Sequence, residues 1–145
     1  MSGILMAICG GIGGATWRWW HGRGFGPRWV RLVVAAVFTI GLVWPLGPWL
    51  GLPIVVAMVA NWTFGYTDWE EVWIMMLRYG AASTIIAAYL MTVSSPLWII
   101  YIAVGPSVAV VYFLTMVQWP GPDSNEIAEA YLGAAFYAPL GLLWL

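Results

Sequence analysis

The sequence contains no lysine, one cysteine (Cys9) and one histidine (His21). A lone thiol excludes a disulfide scaffold. One imidazole and one thiol are too few for a zinc-ligand set of Cys and His, and no Ser/His/Asp or Cys/His arrangement is recognisable in the sequence. Charge is scarce too: 8% of residues are charged, against about 25% in a soluble domain. The net charge of −1 lacks the basic footprint of a nucleic-acid binder. What remains is apolar. Hydrophobic residues make up 63% of the 145-residue chain, and the mean hydropathy is +0.87. So small a soluble body has too much surface to hide that much apolar matter. The composition therefore points to an all-α integral membrane protein, a single polytopic membrane domain over residues 1–145. It points to no catalytic, cofactor-binding or metal-binding residues, and to a non-enzymatic role.

The few charges are segregated. Four of the five arginines, Arg18, Arg23, Arg28 and Arg31, sit together with His21. The acids form two groups, Asp68/Glu70/Glu71 and Asp123/Glu126/Glu129. Basic loops favour the cytoplasmic side, so residues 18–31 are expected inside as a cytoplasmic basic loop. The start of the chain lacks a basic n-region and a clear cleavage site. It reads as a retained first span over 3–17, short for a bilayer core of about 30 Å, with the N-terminus outside.

Residues 32–62 are uncharged but carry Pro45, Pro48 and Pro53, and proline disrupts a helix interior. Two arrangements compete. One is a broken span over 32–50 followed by a re-entrant or interfacial helix over 53–61. The other is two spans. The first keeps both acidic groups away from the arginines and is favoured. Thr67-x-x-Glu70 forms a capping box before a span over 68–93. Further spans are expected over 97–118, with a kink at Gly105-Pro106, and over 125–144. The expectation is a bundle of about five transmembrane helices (four to six), one broken by prolines, in the cell (inner) membrane. The C-terminus then faces the cytoplasm.

Twelve tryptophans are present. Amphipathic indoles favour the membrane interface, so Trp17, Trp19, Trp20, Trp29, Trp98 and Trp144 are assigned to an inner aromatic belt. Trp62, Trp69, Trp73 and Trp119 are assigned to an outer one. A flat pigment or quinone stacked on indole stays open as an alternative, and bound lipid is expected. Gly10-x-x-x-Gly14 fits the close-packing pattern of membrane helices, and Ala130, Ala134 and Ala138 repeat at the same spacing. These are helix-packing faces, used within the bundle or for association. Arg78 lies near the middle of its span, where a charge needs a partner. Glu129 enters from the same face at matched depth, so a buried ion pair Arg78–Glu129 is expected.

The segment GGIGGATWRWWHGRGFGPRWVRLV, a glycine-rich span running into a W/R/G-rich basic loop and a second span, resembles small multi-span membrane proteins of tailed-phage genomes. That resemblance covers the first 45 or so residues. It implies residence in a host inner membrane or a virion membrane, with holin-like function.

Three functions compete. The first is an accessory or structural subunit of a larger membrane assembly, acting by helix packing. The second is a self-associating holin-like or channel-like protein. The third is a small transporter working at Arg78 and Glu129. The expected partners are the lipid bilayer and either further copies of the chain or other membrane subunits, with no nucleic acid.

Overall fold

The computed structural model describes residues 2–64, 72–118, 121, 122 and 124–145. They form six α-helices and no strand: α1 (Ser2–Arg23), α2 (Arg28–Val43), α3 (Leu52–Phe64), α4 (Val72–Thr92), α5 (Trp98–Tyr112) and α6 (Ser124–Gly141). A π-helical segment, Phe113–Gln118, continues α5, and short 3₁₀ turns follow α2 and α6. Three of the helical stretches, Arg28–Leu46, Trp98–Gln118 and Ser124–Trp144, are long and apolar enough to cross a membrane, and Leu52–Thr63 is a shorter apolar helix. The Thr67/Glu70 capping box, the first acidic group, Trp69, Trp119 and the start of the 68–93 span lie outside the described residues.

α1 is longer than expected. It does not end at Trp17 but continues through the tryptophan–arginine run to Arg23, about 33 Å at 1.5 Å per residue. Gly24 and Gly26, both with positive φ, then turn the chain before Pro27, which precedes α2.

The three prolines of residues 32–62 act at a corner rather than inside a span. Pro45 sits in the 3₁₀ turn Trp44–Leu46, where its missing N–H breaks no helical bond. Gly47 follows with φ 91°, and α3 runs back along α2. The Arg28 guanidinium donates to the Thr63 carbonyl at 2.5 Å, which ties the start of α2 to the end of α3. After the proline corner, α3 is thus a separate short helix, packed antiparallel on α2.

α4 and α5 form a second hairpin, turned at Ser94 (φ 60°) and Pro96. Their backbones approach closely: a Cβ on Gly105 would stand 2.6 Å from the Ser83 Oγ and 3.0 Å from the Gly80 Cα. Pro106 lies within α5, beside that contact. α6 returns antiparallel to α5 and, more extensively than any other pair, to α1.

The up-and-down order gathers the ends of the chain. The Ser2 hydroxyl donates to the Trp144 carbonyl at 3.0 Å, and the Tyr89 hydroxyl reaches the Leu50 carbonyl at 2.5 Å. At the opposite end Arg23 meets Glu126. The sequence reading put the two termini on opposite sides; in the bundle they lie together at one end, and Arg23 and Glu126 meet at the other.

The core is aromatic. Trp62, Tyr79, Tyr101, Tyr112, Phe136 and Tyr137 are fully buried. Trp62 (1% exposed) and Trp17 (5%) belong to this core and not to the belts assigned from sequence. Trp49 (81%) and Trp29 (68%) are exposed. Large apolar side chains, among them Leu5, Ile12, Val37, Ile85 and Ile102, cover the outside of the bundle.

Candidate functional site

The polar centre of the molecule grows out of the contact between α1 and α6. Gly10 and Gly14 both face α6. A Cβ on Gly10 would stand 2.8 Å from the Tyr137 carbonyl oxygen, and one on Gly14 would meet the Gly133 carbonyl. Gly133 in turn faces the Gly14 carbonyl, and Gly141 the backbone of Met6 and Ala7. The helices run antiparallel, so each step of four residues along α1 is answered by one of four residues back along α6. One step beyond Gly14 is Arg18. One step before Gly133 is Glu129. The glycine register therefore delivers this arginine to this carboxylate, with Nη2 and Oε1 3.7 Å apart.

Arg18 is 4% exposed. Its guanidinium carbon lies 5.8 Å from the centre of the Trp62 ring, within cation–π range. The hydroxyls of Tyr79 and Tyr112 stand beside it, and their rings stack with centres 6.3 Å apart. Among the described residues neither hydroxyl has a hydrogen-bond partner of good geometry, nor do Nε and Nη1 of Arg18. Below them the Tyr137 hydroxyl accepts from Trp62 Nε1 at 2.9 Å, and the Tyr101 hydroxyl donates to the Phe136 carbonyl.

The other arginines of the basic segment are also engaged by the chain. Arg31 is buried and donates through Nη1 to the His21 carbonyl at 2.9 Å, one of the orphan carbonyls of the last turn of α1. Its own carbonyl accepts from Trp17 Nε1 at 3.0 Å. Trp17 and His21 stack with ring centres 4.8 Å apart and planes 12° from parallel. Arg23 pairs with Glu126 and lies over Trp19, 5.0 Å from its ring centre. Residues 18–31 are thus no loop throughout. Arg18 and Arg23 are helical, Arg18 and Arg31 are buried, and Arg28 clasps α3.

Arg78 stands elsewhere. It shares a groove between α3 and α4 with Asn61, Ala81 and Ala82. Tyr79 is the residue of that turn that faces the centre, and a helix rotates about 100° per residue. Arg78 therefore turns toward α3, and the place beside Glu129 belongs to Arg18. The alanines of α6 serve more than one surface. Ala138 touches α1 beside Gly11, where a Cβ would stand 3.5 Å from its own. Ala134 and Ala138 also line an open groove between α5 and α6 with Ala103 and Ser107. Ala130 is half-buried.

Among the described residues no group of three His, Cys, Asp or Glu could hold a metal ion. No protein-family model, no curated protein and no solved structure matches this chain. Chemically, the centre is a buried cation, half-neutralised by one carboxylate and walled by rings. Such an arrangement can fix the register of two helices.

Proposed function

We propose that the chain is a multi-pass integral membrane protein that acts by helix packing, as an accessory subunit of a larger membrane assembly in the cell membrane. One observation carries this: the tightest small-residue face, Gly10 and Gly14, is consumed inside the bundle by α6, while a second one stays open. That open face is the groove of about 240 Å³ between α5 and α6, floored by Ala103, Ser107, Ala134 and Ala138. Small residues admit a neighbouring helix closely. The apolar flanks beside it suit lipid or other membrane helices alike, and the basic end suits the cytoplasmic side. Both termini then lie on the far side.

The test is disulfide crosslinking from Ala134→Cys in a Cys9→Ala background, in native membranes. The subunit role predicts crosslinks to a membrane protein of different mass. Crosslinks only between copies of the chain would support the holin-like alternative, and none would defeat both. Transport is a second function favoured by a specific observation, the buried Arg18 N–H groups. It would centre on Arg18 and Glu129, and proteoliposomes showing ion flux abolished by Glu129→Gln would establish it.

A further inference from the structure

The groove between α3 and α4 is walled by two stripes of mostly small residues. One wall is Ala57, Ala60 and Asn61 of α3, and the other is Ala81, Ala82 and Ile85 of α4. Spacings of three and four residues keep each stripe on one helix face. Four alanines leave a trough where larger side chains would interdigitate. The trough holds about 260 Å³ and runs about 10 Å along the helix axis, from the level of Arg78 to that of Ile85. Volume over length gives a cross-section of about 26 Å². A helix, about 10–12 Å across, is too thick to enter, whereas a single chain of methylenes fits. Ala81 and Ile85 are exposed on the outside of the bundle, so the trough opens to the side.

One end of the trough is polar. Asn61 is 8% exposed, yet among the described residues its Nδ2 donates to nothing, which is unusual for a buried amide. Arg78 borders the same level but has an interaction of its own, so the donor on offer is the Asn61 amide. Asn61 lies about one turn from the end of α3, the end that Arg28 clasps through Thr63. In a membrane this is the level where headgroups give way to hydrocarbon, and there the ester groups of a lipid lie. An ester carbonyl accepts a hydrogen bond and brings no charge. The methylenes that follow it match the alanine walls.

We propose that this groove binds one acyl chain of a diacyl membrane lipid by its ester: Asn61 Nδ2 donates to the ester carbonyl, and the chain lies along Ala57, Ala60, Ala81, Ala82 and Ile85. The site reads the acyl ester and ignores the headgroup. It rests on the membrane placement argued above. The bound chain fills the shallow interface between the two helical hairpins, and so joins α3 to α4 where the alanines do not interlock.

The experiment uses the full chain in mild detergent, stripped of lipid and offered equal amounts of diester phosphatidylcholine and its diether analogue with chains of the same length. Native mass spectrometry tells the two apart by mass and counts what stays bound. Wild type should retain one diester lipid with a preference of about fivefold, equivalent to about 1 kcal/mol, as one hydrogen bond supplies. This comparison needs no variant. Phosphatidylglycerol esters and ethers should give the same preference. Asn61→Leu should retain ester and ether alike. Ala82→Phe should retain neither, whereas Ala134→Phe, in the other groove, should behave as wild type. A wild type indifferent to the ester overturns the inference, and so does Asn61→Leu with the preference intact. A preference that follows the headgroup, or undiminished retention in Ala82→Phe, overturns it as well. Alkaline carbonate extraction separates the two levels. A chain released from membranes overturns the membrane placement and this site together, and a retained chain without preference overturns the site alone.

Discussion

At the scale of the residue, burial decides what each arginine is for. Arg18 is enclosed by Trp62, Tyr79, Tyr112 and Glu129, so deleting either member of the pair strands a charge. Breaking a buried pair costs about 3–5 kcal/mol. Arg18→Ala and Glu129→Ala should therefore each lower stability in detergent by about 3 kcal/mol. The double variant should lose less than the sum, because it leaves no unpaired charge. Reversible unfolding by sodium dodecyl sulfate measures all three, and strict additivity would show that the two groups do not couple. Arg78→Ala should cost less than Arg18→Ala, since Arg78 borders an open groove. Equal losses would return Arg78 to the centre.

At the scale of the element, glycine position matters more than glycine number. Gly14 and Gly133 touch carbonyls across the α1–α6 contact, and overpacking such a contact costs about 1–3 kcal/mol. Gly14→Ala and Gly14→Leu should both lower the thermal midpoint, the leucine further, and Leu5→Ile on the exposed side should leave it unchanged. A Cβ on Gly41, in α2, meets nothing within 4 Å. Gly41→Ala should therefore gain about 0.5–1 kcal/mol through lost backbone freedom. If Gly14→Ala and Gly41→Ala shift the midpoint alike, the close approach is absent.

The same elements show what could be read in advance. Helices and their corners were legible from hydropathy, glycine and proline. The α1–α6 register was only half legible: Gly10, Gly14, Arg18 and Gly22 repeat by fours, and so do Glu129, Gly133, Tyr137 and Gly141. Set end to end, the ladders would pair Arg18 with Gly133, and only the Gly14–Gly133 contact seen in the structure brings Arg18 to Glu129. Matching residues by depth alone led to Arg78, because depth does not report which way a helix face turns. Trp62 was misplaced for a related reason. Its indole suits an interface, but its N–H finds the Tyr137 hydroxyl, and a satisfied indole can be buried.

At the scale of the whole molecule, the charges mark one end. Every described charged side chain lies in the half of the bundle nearer the Arg23–Glu126 pair. The turns at the other end, 44–51 and 93–97, hold none. Single-cysteine labelling in the Cys9→Ala background should place positions 25 and 122 on the same side of the membrane and position 95 on the other. Opposite sides for 25 and 122 would require an odd number of crossings and would undo the six-helix order.

The contact between α1 and α6 also sets a clock. Its two partners, α1 and α6, are separated by about a hundred residues of chain. At ribosomal speeds of about 5–20 residues per second, α1 waits for several seconds before Glu129 exists. During that wait the Arg18 guanidinium has no carboxylate, and Gly10 and Gly14 have no helix to cover them. The most intimate contact of the bundle therefore forms only after the four helices between its two partners have been made.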